Sequence, residues 1–273
     1  MTFFQALIQG IVQGLTEFLP VSSSAHLVIV PFLLNWTLDP EKSFLFNVLV
    51  QLGTLVAVIL FFWKDLVAII RQVLVGIKEK EPFATPERKL GWYIVLGTIP
   101  AGLAGLLLKS KVEAAFNSPV LTAILLFVTA ILLTVAEVFS KKEKDLDQLN
   151  WIEALIIGIF QALAIFPGIS RSGATVSGGL LKGYTREAAA RFSFLLSIPI
   201  MLAAGLLSVI DLARAEFFLN FLPIMVFGFV IAGVVGYFSI RWLLNYLKKN
   251  SLYGFAVYCA LVSITTIFVA SFR

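Results

Sequence analysis

Gln13 and Glu17 lie four residues apart, a spacing that puts both side chains on one face of a helix. A carboxylate and an amide oxygen are hard ligands, suited to Mg²⁺ or Ca²⁺ shared with a phosphate and water. Ser22, Ser23 and Ser24 follow Pro20, and Ser170 and Ser172 follow Pro167-Gly168. Serine after such a break is a good N-cap, and the free N–H groups of an opening helix attract anions. Arg171 adds a planar fork matched to phosphate oxygens. His26, four residues after Ser22, can take a proton from Ser23 or water, or attack phosphorus itself. Singly these signals are weak: a lone histidine is more often packed than reactive, and Glu17 with Arg171 could be a buried ion pair that only ties segments together. Taken together they describe a site for a phosphorylated, diphosphate-type ligand that also touches lipid.

The lipid follows from composition. Of 273 residues, 59% are apolar and 14% charged, against about 25% charged in an average soluble domain. With a mean hydropathy of +0.96, the pattern excludes a cytosolic enzyme, a disordered chain and a secreted disulfide scaffold. Cys259 is the only cysteine, so no internal disulfide forms and the redox compartment stays open. Net charge is +5, but the 21 Lys and Arg fall in short clusters between apolar runs. That is a membrane-topology pattern and not a nucleic-acid surface. Met1 to Gly14 holds no Lys or Arg, so it lacks the basic start of a cleavable signal and is expected to be part of the mature protein.

Six stretches are long and apolar enough to span a bilayer: Phe44 to Trp63, Leu90 to Leu108, Ser118 to Ala136, Phe192 to Ile210, Phe217 to Ile240 and Asn250 to Phe272. Two further regions, Met1 to Leu38 and Trp151 to Leu181, are interrupted at their middles by Pro20 with its serines and by Pro167-Gly168 with Ser170-Arg171-Ser172-Gly173. Each half is too short to cross alone. Both regions read as re-entrant helical hairpins whose tips line a polar cavity, the alternative being two kinked full spans. Charge agrees with the hairpins. Lys64, Arg71, Lys78, Lys80, Arg88, Lys89, Lys141, Lys142, Lys144, Lys182, Arg186, Arg191, Arg241, Lys248 and Lys249 then share the cytoplasmic side. Lys42, Lys109, Lys111, Arg214 and Arg273 lie outside, with Arg171 left at a tip.

Shifted by 148 residues, Gly10 to Ser24 falls on Gly158 to Ser172 with seven of fifteen positions identical, including Gln13 on Gln161 and Ser22 and Ser24 on Ser170 and Ser172. The two copies differ where chemistry would differ: Glu17 falls on Ile165 and Ser23 on Arg171. The expected fold is therefore an all-α polytopic membrane protein with an inverted-topology repeat, each half a re-entrant hairpin plus three transmembrane helices. Residues 1–273 form one integral-membrane domain, with repeats over about 1–140 and 151–273 and a cytoplasmic linker at 141–150.

Gln13-Gly-Leu-Thr-Glu17-Phe-Leu-Pro20-Val-Ser22-Ser23-Ser24-Ala-His26 resembles the acidic and proline-serine-histidine region of the bacterial undecaprenyl-pyrophosphate phosphatases associated with bacitracin resistance. Pro167-Gly168-Ile-Ser170-Arg171-Ser172-Gly173-Ala174-Thr175 is similar to that family's second motif, and Val50 to Leu55 and Arg191 to Leu196 extend the likeness along nearly the whole chain. The resemblance implies a phosphatase of the bacterial plasma membrane that converts undecaprenyl diphosphate to the monophosphate carrier for peptidoglycan synthesis, using a divalent metal in a site open to the extracytoplasmic side. Carried over residue by residue, it implies Glu17, Ser23, His26 and Arg171 as catalytic, Gln13 and Glu17 as metal ligands, and Ser22, Ser24, Ser170, Ser172, Gly173 and Thr175 as substrate-binding. Gln13 departs from members with Glu there, which lowers the charge available to a metal. Expected partners are the polyprenyl diphosphate and membrane lipids, no nucleic acid, and a second copy of the chain as an open option. The rival class is a transporter or flippase of a polyprenyl phosphate or another anion, which uses inverted repeats equally well.

Overall fold

Helix starts are written in the sequence as a capping side chain followed by proline, whose missing N–H costs nothing at the first helical position. Asp39-Pro40, Thr85-Pro86 and Ser118-Pro119 open three long helices, each cap accepting from a backbone N–H three residues on. The computed structural model describes residues 1–213 and 218–273, which form twelve α-helices and no strand. These are α1 (Phe3–Thr16), α2 (Ser23–Leu33), α3 (Pro40–Phe61), α4 (Trp63–Glu79), α5 (Pro86–Leu107), α6 (Lys109–Phe116), α7 (Pro119–Phe139), α8 (Trp151–Leu163), α9 (Arg171–Leu181), α10 (Arg186–Ala213), α11 (Phe218–Leu247) and α12 (Tyr253–Ala270). Six of them, α3, α5, α7, α10, α11 and α12, are long and apolar enough to cross a membrane. They match the six expected stretches. Arg214, counted above among the outer charges, and Phe217, the expected start of the fifth span, lie outside the described residues.

Both interrupted regions are broken where expected, into α1 and α2 and into α8 and α9. The repeat offset carries α2 onto Arg171–Leu181, the observed bounds of α9, and α1 onto α8 to within one residue. Packing follows the same exchange: α1 lies on α11, and α8 lies on α5. Glycines permit both crossings. A Cβ on Gly10 would come within 2.9 Å of the Gly228 carbonyl oxygen, and one on its repeat counterpart Gly158 would run into the backbone of Gly97.

Ion pairs define one end of the bundle. Arg191 at the start of α10 meets Asp65 of α4 at 2.9 Å, and Lys248 after α11 meets Glu187 at 3.7 Å. Glu137 near the end of α7 accepts from Arg186 at 2.7 Å and from the Leu252 N–H at 2.8 Å. The feet of α8 and α9 are tied together at this end: Lys144 reaches Glu153 at 2.7 Å, Tyr184 donates to the same carboxylate, and the N–H of Thr185 donates to the Lys144 carbonyl. Burial and the Glu153 carboxylate push the Tyr184 phenol above its usual range, so it remains a donor at neutral pH. Arg273, beyond α12, contacts the carbonyls of Phe32 and Leu33 at the far end of α2.

Two helices lie outside the uninterrupted apolar runs of the sequence. α4 and α6 carry charges, so neither passes a search for uninterrupted apolar runs. In α4 the exposed Val67, Ile70, Leu74 and Ile77 recur at helical spacing, the signature of an amphipathic surface helix.

Candidate active site

The two breaks meet. Glu17, one residue past α1, is 6% exposed and its carboxylate is fully engaged. Oε1 accepts from the Arg171 guanidinium at 2.5 Å; Oε2 accepts from Ser23 Oγ at 2.6 Å and from the Gln13 side-chain amide at 2.8 Å. The ion pair joins residues 154 positions apart and bridges the two breaks. Gln13 also donates to Thr54 Oγ1 of α3 at 3.2 Å. Arg171 thus faces a carboxylate here, while its remaining N–H groups have no protein partner among the described residues.

Each break ends in the same serine cap. Ser22 Oγ accepts from the Ala25 N–H at 3.3 Å and lies 3.2 Å from Ser24 Oγ. Ser170 Oγ accepts from the Gly173 N–H at 3.0 Å and lies 3.2 Å from Ser172 Oγ. The first N–H groups of α2 and α9 are left without intrahelical acceptors, and both helix starts border one cavity. The breaks need unusual backbone. Gly168 has φ +108°, and a Cβ there would strike the Thr122 carbonyl and Leu125; Ser22 takes φ +67° without being glycine. Thr129 of α7 holds the second break by donating to the Gly168 carbonyl at 2.9 Å and accepting from the Ser170 N–H at 3.0 Å.

The cavity is about 350 Å³ in volume. Gln13, Glu17, Ser22, Ser23, Ser24, Ser170 and Arg171 line it, and Phe44, Val48, Ala101, Ile200 and Met201 give it apolar walls. The other expected site residues stand behind this lining. His26 is 5% exposed and has both ring nitrogens engaged, Nδ1 with the Ser22 carbonyl at 2.8 Å and Nε2 with the Tyr258 hydroxyl at 2.8 Å. Ser172 donates to the Leu19 carbonyl at 3.0 Å, Gly173 serves the Ser170 cap, and Thr175 bonds the Arg171 carbonyl at 2.8 Å and Ser193 at 2.6 Å.

For a divalent cation the donor set is informative. No group of three His, Cys, Asp or Glu occurs among the described residues. Gln13 Oε1 is nevertheless buried without a partner, beside Glu17 and Ser23. One carboxylate and an unpaired amide oxygen fit a hard cation whose other ligands are phosphate and water. Asn47 and Gln161, which no motif marks as site residues, line the cavity and also carry buried unpartnered carbonyl oxygens. Gln161 had a signal, its place opposite Gln13 in the repeat.

A family profile described as bacitracin resistance protein BacA matches residues 6–265 of this chain. The chain belongs to the BacA family. Among relatives of this family member, a protein of Chlorobium phaeobacteroides (strain BS1) named undecaprenyl-diphosphatase is 45% identical over 270 residues, covering 94% of this chain and 93% of the relative. Another of that name, from Chloroherpeton thalassium, is 43% identical and covers 97% and 95%. A third, from Methanosphaera stadtmanae, is 40% identical and covers 99% of both chains. The family match over residues 6–265 takes in both breaks and every residue that lines the cavity.

Proposed function

We propose that the cavity between the two breaks hydrolyses the terminal phosphoryl group of undecaprenyl diphosphate, releasing phosphate and the monophosphate lipid. The protein is an undecaprenyl-diphosphatase by its family and its relatives' names. The observation that carries the site assignment is the short contact of Ser23 Oγ on Glu17 in a cavity that also holds Arg171. The same family evidence favours hydrolysis over the transporter alternative.

The diphosphate sits between the starts of α2 and α9, where N–H groups and the helix dipoles favour negative charge. Its terminal phosphoryl group competes with Glu17 for Arg171, replacing one anion by another on the guanidinium. Glu17 then keeps Ser23 Oγ as its hydrogen-bond donor at 2.6 Å. Ser23 Oγ forms a bond to phosphorus as its proton passes to Glu17, and the bond from phosphorus to the bridging oxygen breaks to release polyprenyl phosphate. Water then attacks phosphorus and displaces Ser23, Glu17 returning its proton to the departing Ser23 Oγ, which gives inorganic phosphate and restores both the hydroxyl and the carboxylate. Gln13 Oε1 and Glu17 would hold Mg²⁺ or Ca²⁺, which when bound neutralises charge developing on the phosphoryl oxygens. Ser22, Ser24, Ser170 and Ser172 shape and satisfy the two anion-facing turns, with Gly173 and Thr175 supporting them.

The finer architecture is read the same way. The common end of α8 and α9, and the contact of Arg273 with α2 at the opposite end, support two re-entrant hairpins of opposite orientation. With the ion-paired end cytoplasmic, the first hairpin enters from the extracytoplasmic side of the plasma membrane, which is where its cavity is taken to open. A homodimer is part of the same proposal, and the mass of the detergent-solubilised protein tests it.

Acid quenching during turnover of a substrate labelled in its terminal phosphate tests the chemistry. Label on Ser23 is expected; label on His26, or none during confirmed turnover, would replace Ser23 by His26 or by water as the attacking group.

A further inference from the structure

His26 has a geometry that determines its proton. The Ser22 carbonyl can only accept, so Nδ1 at 2.8 Å must donate, alongside the His26 backbone N–H at 3.2 Å. In the neutral ring Nε2 is then an acceptor, and the hydroxyl 2.8 Å away belongs to Tyr258 of α12, 232 residues along the chain. The two rings are parallel to within 6°. Both nitrogens are thereby committed, leaving no lone pair for a proton from Ser23. What the histidine holds is the carbonyl of Ser22, the non-glycine residue at φ +67°. That backbone turn aims the next side chain, Ser23, at Glu17. The neighbour of Tyr258 grips the same loop: Cys259 Sγ lies 3.7 Å from the Pro20 carbonyl.

We propose that Tyr258 is a positioning residue for the phosphatase reaction: its hydroxyl fixes the Nδ1–H form of His26, which pins the Ser22 carbonyl and so sets Ser23 against Glu17. The strained turn persists because a peg from the other half of the chain over-determines it. His26 acts through the backbone of Ser22 and does not exchange protons with substrate. This rests on the assignment of Ser23 given above.

The chain has one histidine, so untagged protein labelled with ¹⁵N-histidine gives the ring of His26 alone. The expected spectrum of the full chain in detergent has a protonated Nδ1 and an unprotonated Nε2; the opposite tautomer in the unmodified protein overturns the proposal without any variant. Tyr258→Phe keeps the ring and removes the donor. It should mix the tautomers and lower kcat roughly tenfold, the scale of one hydrogen bond, with KM within about twofold. His26→Asn offers an amide N–H where Nδ1–H stood, and His26→Gln does not. His26→Asn should exceed His26→Gln by about tenfold or more in kcat, and adding Tyr258→Phe to His26→Asn should cost nothing further. Unchanged kcat and tautomer in Tyr258→Phe, or equal inactivity of His26→Asn and His26→Gln, overturns it. Full activity in Ser23→Ala would remove the Ser23 assignment itself, whereas an inactive Ser23→Ala beside a normal Tyr258→Phe removes only the role of Tyr258.

Discussion

Glu17 carries the most decisions per atom. Its two oxygens hold an arginine, a serine and a glutamine from three different segments, so its charge joins the two breaks. Glu17→Gln preserves shape and removes the acceptor; phosphate release from a polyprenyl diphosphate should fall by roughly 10²–10⁴-fold, with folding retained on size exclusion. Near-normal turnover would dismiss Glu17 as proton acceptor. Arg171→Ala should cost about 10²–10³-fold, and Arg171→Lys should restore only part, because a point charge cannot make the planar fork. Gln13 gives a test of the opposite sign. Gln13→Glu adds a carboxylate next to Glu17 in a site with one unpaired amide oxygen, so the Mg²⁺ or Ca²⁺ concentration at half-maximal activity should drop. A metal titration showing no shift would separate Gln13 from the cation. At this scale the sequence named Glu17, Ser23 and Arg171 correctly as neighbours in space, because repeat and motif converge on them. Tyr258 carried no signal, since an aromatic residue within an apolar run looks like any other lipid-facing side chain.

At the level of helices, position depends on close approach. α1 against α11 and α8 against α5 cross where side chains are missing, and these crossings place the ends of α1 and α8 beside the cavity. Gly158→Ala would push a methyl into the Gly97 backbone and should destabilise the fold by about 1–3 kcal/mol, read by SDS titration from mixed micelles. Gly102 in α5 has open space around its missing Cβ. Gly102→Ala should leave stability unchanged or raise it by up to about 1 kcal/mol through helix propensity. Equal losses in both variants would show that the close approach of Gly158 to Gly97 does not set the stability. The spans themselves were legible in the sequence because twenty apolar residues in a row leave a helix as their only lipid-compatible form. α4 was not, because its apolar stripe is diluted by Lys64, Asp65, Arg71 and Lys78 and appears only when wound on a helix.

For the whole molecule, one end collects the ion pairs and the other the sparse charges. Cys259 is buried, so single added cysteines report sidedness cleanly. A membrane-impermeant maleimide applied to intact cells should label Lys111→Cys and Arg273→Cys. Lys80→Cys and Lys249→Cys should react only after permeabilisation. Reversed labelling would invert the molecule, and labelling of all four from one side would end the span assignment. The same labelling tests the proposed inversion, since a hairpin plus an odd number of spans would return a second copy upside down. In the structure α1 packs on α11 and α8 on α5, so each broken segment lies against a long helix distant from it in the chain.

The sequence by itself determined the solvent, the number of long spans, the two breaks and the residue types placed at them, because these depend on hydropathy, chain length and local backbone chemistry. Tertiary structure alone decided which charged group meets which. It put Arg171 on Glu17, left Gln13 Oε1 unpaired, and turned His26 from the cavity toward a tyrosine of the last helix. Those are contacts across 154 and 232 residues. No local rule specifies them; the packing of helices against one another brings their partners within hydrogen-bond reach.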